Sequence, residues 1–173
     1  ADPTLEDWGT WIYIQDTDAH TLWSIGLQPT GATPESHQVY FAPDRVTFHR
    51  RDHHIITETR ITVAPEANVE IRHLTIKNDS DRKRHLRLTS YGEVVLSPHG
   101  ADTRHPAFNK LFVESEYLAE HNALLFTRRP RSSKEKSIWL LHRLVIEPPY
   151  PSTGAFEASR EQFLGRGRAL TAG

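Results

Sequence analysis

The chain has 173 residues, enough for one domain that buries about two-thirds of its unfolded surface. Its 21 basic and 22 acidic residues leave a net charge of -1, which argues against a nucleic-acid binder, a class that is usually basic. It has no cysteine, which excludes disulfides and thiolate metal sites, and no run of about 18 apolar residues able to span a membrane as a helix.

No signal peptide is visible at Ala1, and the sequence contains no methionine. A primary translation product begins with one, so the expectation is a piece of a longer protein rather than a complete product.

The first structured stretch begins at Trp8. Trp11 to Ile14 and Thr21 to Ser24 are β-prone runs around a turn-like Gln15-Asp16-Thr17-Asp18-Ala19-His20. Trp8, Trp11 and Trp23 concentrate aromatic rings here. Such rings stack on sugar faces, and equally they fill cores, where aromatics bring large buried area. A Gly/Pro-punctuated loop from Gln28 to Ser36 leads to strands over Val39 to Ala42 and Val46 to His49. Ile55 to Val63 is a strong strand, with Ile55, Thr57, Thr59, Ile61 and Val63 on one face.

Val69 to Leu96 is the clearest structural signal. It reads as two long strands in a hairpin, joined by the solvated turn Asn78 to Arg84, at the centre of a β-sandwich. With Ile55 to Val63 it makes three consecutive strands in meander order. In the first of the hairpin strands Val69 and Ile71 share one face and Leu74 and Ile76 the other. That parity requires either a bulge near Arg72-His73 or a strand buried on both faces.

After Leu96 the pattern changes. Ser97 to Arg104 reads as a loop, Lys110 to Tyr117 as a strand, and Ala123 to Arg128 and Ile138 to Ile146 as two more. Arg128 to Lys136 reads as a mobile basic loop, and Pro148-Pro149 ends the last strand because proline lacks the ladder donor. One helical turn is expected at Ser159 to Phe163. About nine or ten strands and little helical periodicity make the chain all-β.

The chemistry-bearing residues are sparse. Among eleven histidines the closest set is His49, His53 and His54, with His53-His54 at a hairpin tip. Adjacent strand residues point to opposite faces, and no HExxH spacing occurs, so no metal is expected. Glu114 and Glu116 share a strand face about 7 Å apart, a spacing suited to glycoside chemistry but also the ordinary mark of a solvated strand side. The GxSxG, P-loop and dinucleotide fingerprints are all missing, and no cofactor is expected.

Four stretches carry a resemblance: TLWSIGLQP, the segment VEIRHLTIKNDSDRKRHLRLTSYGEVVL, HPAFNKLFVESEY and FLGRGR. From about Trp8 to Arg168 the chain resembles the cyclic β-1,2-glucan synthases. It is most similar to the β-sandwich of their region related to inverting glycoside phosphorylases such as cellobiose and chitobiose phosphorylase. The resemblance implies an antiparallel two-sheet supersandwich of the galactose mutarotase type, here a partial domain that packs on an (α/α)6 barrel of the same polypeptide. That barrel carries the family's catalytic acid, so no catalytic residue transfers to this chain.

The resemblance further implies a parent enzyme in a bacterial inner membrane, with this domain on the cytoplasmic side. A β-glucan or oligosaccharide is the implied ligand and a homodimer a possible assembly. Residues 1–173 are then one sandwich domain. Its candidate sugar-facing residues are Trp11, Trp23, His105, Phe108, Lys110, Arg166 and Arg168. A purely structural or dimerising role and a domain of a soluble disaccharide phosphorylase are the alternatives.

Overall fold

The computed structural model describes residues 9–104, 106–130, 132, 135–147 and 155–165. They form ten strands, β1 (Thr10–Asp16), β2 (Thr21–Ser24), β3 (Ser36–Phe41), β4 (Val46–Asp52), β5 (Ile55–Val63), β6 (Glu70–Asn78), β7 (Leu86–Gly92), β8 (Val113–Leu118), β9 (Ala123–Arg128) and β10 (Ile138–Arg143). Three short α-helices, α1 (His99–Arg104), α2 (Pro106–Lys110) and α3 (Arg160–Leu164), and a 3-10 turn at Ala119–His121 accompany them. Every strand pair is antiparallel. The all-β expectation therefore holds, with the strands divided among three sheets ordered β2-β1-β7, β3-β4-β5-β6 and β10-β9-β8.

The described residues fall into two compact units, one running to Gly92 and resumed at Leu164, the other from Glu93 to Phe163. In the first unit two sheets share an apolar core. Ile12, Ile14 and Trp23 from the β2-β1-β7 sheet, with Ile25, meet Ile55 of the other sheet, and Leu74, Ile76, Leu86 and Leu88 pack around them. The alternation of β5 sets this up: Ile55, Thr57 and Thr59 are buried while Arg60 is exposed.

The expected hairpin at Val69–Leu96 separates into two sheets. β6 pairs with β5, whereas β7 pairs with β1 from Thr10↔Gly92 to Asp16↔Leu86. The meander is accordingly β3-β4-β5-β6, and β7 lies outside it. Residues 79–85 form an arch between the sheets, and its end is anchored to β1. Thr17 N–H donates to the His85 carbonyl at 2.9 Å. Arg84 Nε donates to Asp16 Oδ2 at 2.7 Å, its Nη2 donates to the same oxygen, and its Nη1 reaches the His53 carbonyl at 2.7 Å.

The parity change in β6 is neither a bulge nor two-sided burial. Its register with β5 is continuous from Val63↔Glu70 to Ile55↔Asn78, and Leu74 and Ile76 are half-buried. Val69 and Ile71 are 48% and 51% exposed, so they are apolar residues left in solvent.

β4 runs past its expected end at His49 and turns two charged residues inward. Arg50 and Asp52 are 1% and 4% exposed and pair through both carboxylate oxygens at 2.7 and 2.8 Å. Arg50 also donates to the Gly26 and Ala32 carbonyls at 2.6 and 2.7 Å, satisfying the loop that joins β2 to β3. A buried guanidinium is tolerable only when its donors are taken up in this way. The following turn is two residues long, and both His53 (φ 49°) and His54 (φ 64°) are left-handed, as a type I′ hairpin requires.

In the second unit, β9 is central and matches its expected bounds, whereas Ile138 to Ile146 is shortened to β10. The expected loop at Ser97 to Arg104 is partly helical, because Pro98 begins a turn in which its carbonyl accepts the Ala101 and Asp102 N–H groups at 2.9 and 3.1 Å. Arg128, expected at the start of a mobile basic loop, is 5% exposed and ion-paired with Glu135 at 2.5 Å.

Two predictions follow from the first unit's charges. Arg50→Met leaves Asp52 buried without its cation, and we expect a loss of about 3–5 kcal/mol by chemical denaturation. Most of it returns in Arg50→Met/Asp52→Leu, because the uncompensated charge is then gone; a double variant as unstable as the single would contradict this account.

Asp16 supplies a pH dependence. The Ala19 N–H, the Arg84 guanidinium and the Asp18 N–H hold its carboxyl below the usual 3.8, with burial opposing them. A depressed folded value means that its stabilisation is complete above the ordinary value and lost as pH falls through the lowered one. Thermal unfolding of the native chain should therefore fall below about pH 4 more steeply than that of Asp16→Asn.

Candidate functional site

The candidate residues divide between the units. Trp11 lies in β1 and Trp23 in β2 of the first, and Phe108 and Lys110 lie in α2 of the second. His105, Arg166 and Arg168 are outside the described residues.

Trp23 is corrected by its burial. It is 1% exposed, sits in the core cluster and approaches the His53 ring at 5.7 Å, so it offers no face to a sugar. The aromatic concentration at the start of the chain thus serves the core at this position. Trp11 is half-buried in β1, opposite Tyr91 of β7.

The second unit holds the segment with the most distinctive motif. α1 and α2 are tied by Asn109, which is 4% exposed and donates from Nδ2 to the Ala101 carbonyl at 2.7 Å. This bond fixes the direction of α2, whose five residues are too few to hold a helix by themselves. Phe108 is 52% exposed on it, its ring edge-on to Phe112 at 5.2 Å. Leu111, just beyond, is 74% exposed.

Lys110 is oriented by a carboxylate. Its Nζ lies 2.7 Å from Glu93 Oε2, and Arg160 Nε lies 2.6 Å from Glu93 Oε1. Glu93 is the most enclosed of the three side chains, so it anchors two cations that remain largely in water. Sequence reading missed Glu93, since a single carboxylate after a strand has no pattern of its own. One aromatic ring and one oriented ammonium lie two positions apart on α2, hence on different sides of it; each is a group for stacking on or hydrogen bonding to a polyhydroxylated ligand rather than for bond cleavage.

Behind α1 and α2, Leu96, Asp102, Asn109, Val113 and Arg128 enclose a space too narrow to admit water. These buried polar groups are packing rather than a ligand cavity. A larger open depression of about 640 Å³ follows the β5–β6 turn, lined by residues 63–70. One turn alone forms it, and its Glu70 is taken up by Arg72 at 2.6 Å.

The remaining chemical candidates are dispersed. His49 faces Glu58 at 3.4 Å, while His53 and His54 occupy the hairpin tip. Among the described residues no three His, Asp or Glu side chains converge as metal ligands. Glu114 and Glu116 are exposed on β8, with Glu114 4.0 Å from Arg129. Among the described residues no helix is long and apolar enough to cross a membrane.

Comparison with known proteins agrees with the fold and places it. The chain is 30% identical over 169 residues to the cyclic beta-(1,2)-glucan synthase NdvB of Rhizobium meliloti (strain 1021). That match covers 98% of this chain and 6% of the relative's length. The model of the glycosyl hydrolase 94 supersandwich domain matches residues 1–172, and the chain belongs to that family.

Proposed function

We propose that the chain is a non-catalytic, carbohydrate-associated supersandwich domain of a cyclic β-1,2-glucan synthase, supporting synthesis or length control of the glucan. The observation that carries this reading is the similarity to a glucan synthase along 98% of the chain, together with a family match over residues 1–172. The catalytic work belongs to other parts of such an enzyme, and the proposed partner within the polypeptide is its helical barrel. We place the domain on the cytoplasmic side of a bacterial inner membrane.

The sugar-facing element in this reading is α2. Phe108 provides an exposed ring, and Lys110, held by Glu93, provides a donor whose direction is fixed before a ligand arrives. Preorganisation of that kind lowers the entropic cost of binding a flexible glucan.

A structural or dimerising role is the second reading, favoured by the burial of Trp23 and by the neutralisation of Lys110. The full-length enzyme separates the two. Under the first, Phe108→Ala and Lys110→Ala each lower glucan-synthesising or trimming activity about three- to tenfold with thermal stability unchanged. Wild-type activity in both variants, with Glu93→Ala lowering only the unfolding temperature, would establish the structural reading.

A further inference from the structure

The β8-β9-β10 sheet has two unlike faces. One turns Phe126 and Arg128 into the unit, at 8% and 5% exposure. The other carries three rows set by the register, Glu114–Thr127–Trp139, Glu116–Leu125–Leu141 and Leu118–Ala123–Arg143. Trp139 and Leu141 are 60% and 57% exposed, and both glutamates are exposed at the opposite edge. An indole is a costly group to leave in water, and its flat apolar face with a polar N–H suits a ligand that is itself apolar on one side and polar on its rim.

We infer that this face is a second carbohydrate platform, on which Trp139 stacks a pyranose ring and Glu116, with Glu114, accepts hydroxyl hydrogen bonds from a neighbouring sugar. The inference rests on the proposed carbohydrate association but centres on Trp139 of β10, which is remote in sequence from Phe108 and Lys110. The carboxylates decide between ligand classes. Glu114 already has Arg129 at 4.0 Å, but the Glu116 carboxylate makes no ion pair or hydrogen bond among the described residues. An apolar protein surface closing over the face would take that carboxylate from water without a partner, at a substantial penalty. A saccharide brings O–H donors to it while its C–H face covers the indole.

The geometry also sets ligand length. Adjacent strands lie about 4.8 Å apart, so the glutamate and tryptophan edges are separated by about 10 Å. One pyranose cannot touch both edges, whereas two or more linked units can. Free glucose is therefore a poor ligand for the platform.

The test is an NMR titration of the 173-residue chain with a linear β-1,2-gluco-oligosaccharide and, separately, with glucose. The indole N–H signal missing from Trp139→Phe identifies Trp139. We expect that signal and the Leu141 amide to shift with the oligosaccharide and not with glucose at equal concentration. Trp139→Ala should weaken binding at this site about tenfold, Trp139→Tyr should retain most of it, and Glu116→Gln should be intermediate. Shifts confined to α2, with Trp139 silent, overturn this platform and leave the proposed function standing. Silence at both sites overturns both. Protection of Trp139 from solvent in the sugar-free full-length enzyme also overturns it, by assigning the face to a protein contact.

Discussion

The guanidinium of Arg84 fixes the course of the first unit. It binds the buried carboxylate of Asp16 at the end of β1 and the carbonyl of His53 at the β4–β5 tip. A single planar group thereby joins both sheets at one edge of their shared core. Asp16 is held in turn by the backbone of Asp18 and Ala19 at 2.9 and 3.0 Å, so the β1–β2 turn and the arch share one charge centre. Without that joint, β6 and β7 have every local reason to pair with each other.

The same economy governs Arg50 and Asp52. Their mutual pairing neutralises charge inside the sandwich, and the spare guanidinium donors satisfy carbonyls of an irregular loop that would otherwise be buried and unmatched. At the opposite end of the sequence pattern stand the exposed Val69 and Ile71, and all six exposed residues of β3, from Ser36 to Phe41. Charge is inside and hydrocarbon outside at several positions, each against the simplest reading of residue type.

The difference explains what was legible in the sequence. Strands over Ile55–Val63 and Ala123–Arg128 were marked by local alternation and bounded by turn residues, and both appear with those limits. The resemblance carried by HPAFNKLFVESEY and FLGRGR pointed to the family that the comparisons show. The meander pairing of β5 with β6 was legible, but the partnership of β7 was not, because Val69–Leu96 has the alternation of a hairpin while its second strand joins β1 beyond Arg84, a residue that reads as turn polarity. The inward Arg50 and Asp52 were hidden for a related reason: charge normally ends a core pattern. At the candidate site, Phe108 was visible as an aromatic in a distinctive segment. The link from Lys110 to Glu93 spans 17 positions and has no local signature, and Trp139 was obscured by the apolar run around it.

The split destination of β6 and β7 has a consequence for the order of events during folding. β3 to β6 form a meander in which each strand meets the next one made, so that sheet needs only short loop closures. β1 instead pairs with β7, with the meander between them in sequence. On a ribosome, β1 and its partner β2 must wait until the arch has emerged before their sheet is completed. The contact that gives the sandwich its second wall is thus the most non-local strand pairing among the described residues of this unit, and contact-order reasoning makes its closure the slow step.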